Sequence, residues 1–353
     1  MSQESPLRSA GSPLWRRALI TAGSAFATFS ALMMLGAVAF LWFYSGPGPR
    51  AAQGEATTVI LRQGAGLSEI AATLQRAHVI GSAAIFEAAT QITHTSRRLK
   101  AGEYEIPSRA PIRAIIDKIR KGDIVHHMVT IPEGLTSEQV VDILMASPVL
   151  AGAAPVPAEG AILPETYEVR RGEDRAAVLQ RMMDAHDNLL RALWAQRRSG
   201  LPLMSPEQAV ILASIVEKET GVASERPRVA AVFVNRLQKG IKLQSDPTIV
   251  YGLTRGKPLG HGIRASELAS QTPYNTYQIA GLPPTPICNP GRASIAATLD
   301  PPRTNDLYFV ATGGGRSNFA SSLDEHQRNV AHWRGVERAR AAAAPPHPPA
   351  GLR

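Results

Sequence analysis

The stretch Ser205-Pro-Glu-Gln-Ala-Val-Ile-Leu-Ala-Ser-Ile-Val-Glu-Lys-Glu-Thr220 has the marks of a helix from its first residue. Ser205 suits the capping position, Pro206 the first helical one, and Gln208 completes a Ser-x-x-Gln capping box. From Ala209 to Val216 every residue but Ser214 is apolar, the pattern of a helix buried on all sides. Glu217 and Glu219 emerge from its end, and a carboxylate at the end of a buried rod costs free energy unless it is paired or used. At helical spacing Glu217 shares a face with Val210, Ala213 and Ser214, small neighbours that leave room for a ligand. Glu219 shares the bulkier face of Leu212, Ile215 and Val216. Both can equally be solvated residues of a last turn, paired with Lys218 or Arg226.

Before this helix the chain changes character several times. Residues 1–17 are polar and carry Arg8, Arg16 and Arg17, whereas residues 18–49 hold no charged side chain. The run 18–44 is long enough to cross a ~30 Å hydrocarbon layer, and Trp42 and Tyr44 fall where an interfacial aromatic belt would lie. The apolar core of a cleaved signal is only ~7–15 residues long, so a retained single-pass anchor is expected, with residues 1–17 in the cytoplasm and the rest outside. A linker rich in Gly, Pro and Ala follows over 45–56.

Next comes an internal repeat. Val59-Ile-Leu-Arg-Gln-Gly64 with Ile70, Ala71 and Leu74 matches Val129-Thr-Ile-Pro-Glu-Gly134 with Val140, Val141 and Leu144, at one constant offset. Each copy alternates like a strand, turns at its glycine and resumes at helical spacing. Two strand–helix units are therefore expected over 57–147. The first resembles a LysM-type module, which lays glycan chains along a shallow groove; a support domain without a ligand fits the pattern as well.

Beyond 148 the spacing predicts a helix over roughly 175–198 and another from Ser224, with Val229, Val232, Phe233 and Leu237 as its stripe and Gly240 as its end. Asp246 before Pro247 reads as a helix N-cap. Thr272-Pro-Tyr-Asn-Thr-Tyr277 and Gly281-Leu-Pro-Pro-Thr-Pro-Ile-Cys-Asn-Pro-Gly291 hold too many turn formers for regular structure. Long loops of this kind in a compact domain are usually functional. Leu307 to Ala311 and Asn318-Phe319 read as a strand pair turning at Gly313 to Gly315, and Ser322 as the cap of a last helix with His326 and Trp333. The composition of residues 341–353 predicts a disordered tail.

Several chemistries are excluded. The single cysteine, Cys288, rules out an internal disulfide and a cysteine-based metal site. There is no nucleophile elbow, no phosphate-cradling glycine loop and no His-Glu-x-x-His. His126 and His127, adjacent on a strand, point to opposite faces. The net charge of +9 is spread over scattered arginines, which fits an anionic lipid or polymer better than nucleic acid. Carboxylates in a polar, loop-rich cleft remain, as the breaking of glycosidic bonds requires. The acid in such a site must keep its proton near neutral pH, which burial promotes, and Glu217 has that setting.

Leu212-Ala-Ser-Ile-Val-Glu-Lys-Glu-Thr220 resembles the signature of the membrane-anchored endolytic murein transglycosylases. So do Ser224-Glu-Arg226, Val232-Phe-Val-Asn-Arg-Leu237, Leu243-Gln-Ser-Asp-Pro-Thr248, Thr272 to Tyr277, Gly281-Leu-Pro-Pro284 and Asn289-Pro-Gly291, in the family's order over about 57–335. The resemblance implies an α+β fold: an N-terminal transmembrane helix, a LysM-like strand–helix subdomain at 57–147, and an α+β catalytic domain at 148–340 facing the periplasm from the inner membrane. It implies that Glu217, rather than Glu219, is the catalytic acid/base. Gln244, Asp246, Tyr274, Asn275 and Tyr277, from the polar motifs, are candidate substrate contacts. The implied reaction is lyase chemistry on peptidoglycan, without metal or cofactor, leaving 1,6-anhydro ends, limiting strand length and working beside the glycan-polymerising synthases. Glu165 stands where the family often has Asp, and Gln327 where Asn is common. The alternatives are a hydrolytic muramidase using Glu217 and Asp246, and a non-catalytic peptidoglycan-binding scaffold. A pyridoxal-phosphate lyase built on Lys218 lacks a phosphate loop.

Overall fold

The computed structural model describes residues 14–312 and 316–343. The polar segment 1–17 lies largely outside them, as do the glycine turn at 313–315 and all but the first residues of the 341–353 tail. By its contacts the chain divides into two units, Met1–His126 and His127–Arg353. Mixed helix and strand in both give the α+β class.

In the first unit helix α1 (Leu14–Ser45) contains a run, Ala18–Ser45, long and apolar enough to cross a membrane. Its surface is exposed until Phe40 and Tyr44, which stack on one another and pack against the unit's core. Strand β1 (Ala56–Leu61) pairs antiparallel with β2 (Gly102–Pro107), Val59 opposite Tyr104. Helices α2 (Leu67–Arg76), α3 (Ala83–Ile92) and α4 (Ile112–Lys121) enclose that sheet's inner face. In α4 the isoleucines at 112, 115, 116 and 119 recur at the i, i+3, i+4, i+7 spacing that keeps one face inward, and all are buried.

The second unit opens with β3 (His127–Thr130) and α5 (Ser137–Ala146), followed by β4 (Leu150–Ala151), β5 (Thr166–Val169), β6 (Glu173–Asp174) and α6 (Arg175–Ala195). The repeat is visible in the element bounds: α5 begins and ends 70 residues after α2, and the turns before them hold Gly64 and Gly134 at φ 80° and 78°, a region natural to glycine alone. The pairing differs, because β3 joins β5 whereas β1 joins β2.

Helices α7 (Pro206–Glu219), α8 (Arg226–Gln238), α9 (Asp246–Thr254), α10 (Ala265–Leu268) and α11 (Arg292–Leu299) come next. The hairpin β7 (Tyr308–Ala311) and β8 (Ser317–Ala320) and helix α12 (Leu323–Ala343) complete the described chain. Helix α7 is the axis of the larger core. Ala209 to Val216 are all buried, with α6, α8 and α11 packed around them. Each fully buried Leu, Ile or Val contributes ~1.5–3 kcal/mol, so the position of α7 is strongly set. Ser205 Oγ accepts from Gln208 N at 3.4 Å; the Gln208 side chain returns to Met204 N at 2.7 Å, one residue earlier than a capping box requires.

Candidate active site

The one polar residue of the α7 rod places the site. Ser214 Oγ donates to Ile211 O at 2.7 Å and accepts from Ile287 N at 3.0 Å. Cys288 Sγ adds a 3.4 Å bond to Ser214 O. The loop before α11 is thus hung on the helix, and it runs on to the next residue of the same face. There Gly291 N donates to Glu217 Oε2 at 2.9 Å. The Glu217 side chain is only 6% exposed.

A second segment closes on the first. Gly134 N donates to Asn289 O at 3.1 Å and Asn289 N donates to Leu135 O at 2.8 Å, joining the turn after β3 to this loop. The Asn289 side chain locks the junction, donating to Leu135 O, Ser137 Oγ and Glu159 Oε1 and accepting from Ile162 N. The turn carries Glu133 against Gly291, where a Cβ would fall on the Glu133 carboxylate. Arg226, first residue of α8, brings Nη2 to 3.7 Å from Glu217 Oε1 and 3.8 Å from Glu133 Oε2. The Glu133 carboxyl is pushed up, first by burial and then by the charge of Glu217, with Arg226 opposing. Lys218 Nζ donates to Gly134 O at 3.2 Å and borders a cleft of about 380 Å³ that Gly134, Asp246 and Tyr251 also line.

Glu219 looks into a different cleft, of about 420 Å³, shared with Arg236, Gln244, Asp246, Tyr277 and Tyr308. Ser245 Oγ donates to Glu219 Oε1 at 2.5 Å. The Glu219 carboxyl is pushed up to about 7; burial is the main cause and Asp246 adds to it, while Ser245 and Arg236 oppose. Arg236 is itself buried, and its donors are engaged by the carbonyls of Leu307, Lys242 and Leu243.

The expected substrate contacts separate into two groups. Gln244, Asp246 and Tyr277 come together in the 420 Å³ cleft. Gln244 stands there in a left-handed conformation, φ 52°, with Oε1 3.4 Å from Arg236 Nη1. Tyr277 Oη donates to Asp246 Oδ1 at 2.7 Å, and burial and Asp246 hold its hydroxyl far above the ordinary value. Tyr274 and Asn275 are buried instead. Tyr274 packs edge-on to Tyr251 and bonds Thr285. Asn275 Nδ2 faces three carbonyls, with Ser270 O nearest at 2.7 Å, and Oδ1 accepts from Tyr277 N. These two side chains hold the loop that presents Tyr277. The N-cap position expected of Asp246 is held by Ser245, one residue earlier, whose hydroxyl makes no cap bond and donates to Glu219 instead; Asp246 is the first residue of α9.

Sequence reasoning missed Glu133 and Gly291 as members of the site, and saw Arg226 only as a surface partner. One signal was present: the turn of the second repeat reads Pro-Glu-Gly134 where the first has Arg-Gln-Gly64, placing an acid at the turn that the fold brings to Gly291 and Arg226.

A family model described as the YceG-like family matches residues 59–332. The chain is 27% identical over 323 residues to a Streptococcus pneumoniae protein named endolytic murein transglycosylase, an alignment covering 78% of this chain and 58% of that one. It is 31% identical over 173 residues to a Bacillus subtilis protein of the same name, covering 49% of this chain and 47% of that one. A crystal structure of a YceG-like protein from Listeria monocytogenes is similar at 29% identity, 78% and 98% coverage and a TM-score of 0.49. This chain thus spans a little over half the length of the pneumococcal relative. With the family model covering most of its length, the chain belongs to the YceG-like family.

Proposed function

We propose that this protein is an endolytic lytic transglycosylase of peptidoglycan with Glu217 as its acid/base. The observation that carries this reading is the setting of Glu217. Its nearly buried carboxyl ends a wholly buried helix, with Oε2 held by Gly291 N–H and Oε1 turned toward Arg226. The activity named for the pneumococcal and Bacillus relatives supports it. Glu217 protonates the oxygen between N-acetylmuramic acid and N-acetylglucosamine as the C1–O bond breaks. The carboxylate then takes the proton of the muramyl 6-hydroxyl as that oxygen bonds to C1, leaving a 1,6-anhydro end and a restored acid. No water is consumed, so no second carboxylate is obliged to activate one. Cuts inside new strands limit their length, beside the synthases that extend them.

The first unit is proposed to be a LysM-like support for the glycan. Helices packed on one face of an antiparallel strand pair fit that reading, and so does a cleft of about 360 Å³ between β1 and α2 lined by Arg62, Glu69, Thr73 and Arg76. Helix α1 is proposed as a single-pass anchor in the inner membrane, with the N-terminus inside and the chain beyond α1 in the periplasm. A reporter fused after Arg353 is then active only outside the cytoplasm.

Mass spectrometry of sacculi digested by the full-length chain tests the activity. Anhydro ends within strands are expected from the wild type and not from Glu217→Gln. Reducing ends would instead establish a muramidase, and no cleavage at all a binding scaffold.

A further inference from the structure

Glu133 and Glu217 face a single guanidinium. Arg226 Nη2 stands 3.8 Å from one carboxylate and 3.7 Å from the other, beyond hydrogen-bond length in both directions. The Arg226 side chain is 11% exposed, and its Nε is buried without a partner among the described residues. A desolvated guanidinium with unspent donors between two acceptors gains by closing on either one. Glu133 is held in reach by construction, since its turn is joined to Asn289 and its carboxylate occupies the space left by the missing Cβ of Gly291.

We propose that Glu133 is a positioning residue for the acid/base, sharing Arg226 with Glu217 so that the guanidinium changes partner as the proton moves. The proposal rests on the reading of Glu217 as that acid/base. While Glu217 carries its proton, Arg226 pairs with Glu133. Once the proton has passed to the departing oxygen, Arg226 closes on the Glu217 carboxylate. When the 6-hydroxyl proton arrives, the guanidinium returns to Glu133. Only a proton is transferred, and Arg226 stays charged throughout. The direction found for Glu133 agrees, because, besides burial, the charge of Glu217 raises it and Arg226 lowers it. The other charged or titratable neighbours are Lys218, on the same helix and bonded to Gly134 O, and Cys288, whose thiol burial holds well above its ordinary value and therefore neutral.

The test is the pH profile of kcat/KM for anhydro-end release by the full-length protein. Its alkaline limb marks loss of the acid's proton. In Glu133→Gln, Arg226 is left to Glu217 alone, so the limb moves to lower pH by about one unit. In Arg226→Gln the cation is gone, and the limb moves to higher pH by a similar amount. The double variant returns toward the wild type. A merely structural role would lower rates without moving the limbs in opposite directions. Limbs that stay in place, or move together, overturn the proposal. If Glu133→Gln does not fold, the Arg226→Gln limb decides alone: upward supports the proposal, and unmoved or downward overturns it. Absence of anhydro product from the wild type would fail the functional reading itself; a wild-type product with unmoved limbs fails only this proposal.

Discussion

Tyr277 Oη donates to Asp246 Oδ1 at 2.7 Å, tying the polar loop before Gly281 to the first turn of α9. That bond gives Asp246 an architectural duty within the candidate cleft and occupies one of the oxygens a second catalytic carboxylate would need free. Asp246→Asn keeps an acceptor for Tyr277 and loses only the charge. The variant is expected to fold, to lose ~10-fold in rate at most, equal to about 1.4 kcal/mol, and to yield anhydro ends still. A folded Asp246→Asn protein as inactive as Glu217→Gln would point to a two-carboxylate hydrolase.

Glu217→Gln preserves size and helix propensity but removes the transferable proton. Its activity is expected to fall by ~10²–10⁴ with thermal unfolding unchanged. Glu219→Gln, in the other cleft, retains most of the activity. Assaying both on purified sacculi separates them, and a more sensitive Glu219 would reverse the assignment.

Glu219 has a signature in stability. Its folded carboxyl is raised from 4.5 to about 7. Between those values the folded chain retains a proton that the unfolded chain has released, so stability declines as pH rises through about 4.5 to 7 and is level above. The shift corresponds to roughly 3 kcal/mol at ~1.4 kcal/mol per unit. Glu219→Gln removes this contribution: urea midpoints at pH 5 and pH 7.5 should lie closer together than in the wild type. Equal separations in both proteins would show that Glu219 titrates normally.

Gly291→Ala tests the contact between Glu133 and the loop before α11. The added methyl falls on the Glu133 carboxylate, and the loop shift that relieves it withdraws the amide from Glu217. Overpacking of this kind costs ~1–3 kcal/mol, and activity should fall by 10-fold or more, beyond what the melting point explains. Wild-type activity in this variant would mean that the Gly291–Glu217 bond is dispensable.

What was legible in the sequence follows the range of the interactions. Helix α7 could be read almost to its bounds, because Ser205 and Pro206 act locally and eight consecutive buried residues leave a continuous signal. Gly240 was read as the end of α8 for the same reason: a positive φ of 67° is a requirement of that residue alone. Asp246 was misplaced by one residue, since Asp-Pro and Ser-Asp-Pro both resemble a cap and only the fold shows Ser245 turned to Glu219. Tyr274 and Asn275 carry the same polar-loop signal as Tyr277, and nothing local separates a side chain that props a loop from one that lines a cleft. Glu133, Arg226 and Gly291 reach Glu217 from three other segments, and such distances are not written in any local pattern.

The bond from Ile287 N to Ser214 Oγ, described above as a loop anchor, also makes one segment's place depend on another far along the chain. The neighbourhood of Glu217 is assembled from residues 133, 226 and 291, the first and last of them distant in the chain, so it exists only in the tertiary fold. A nascent or partly unfolded chain therefore carries the carboxyl without its surroundings. On the proposed reading, the acid/base is complete only once the second unit has folded.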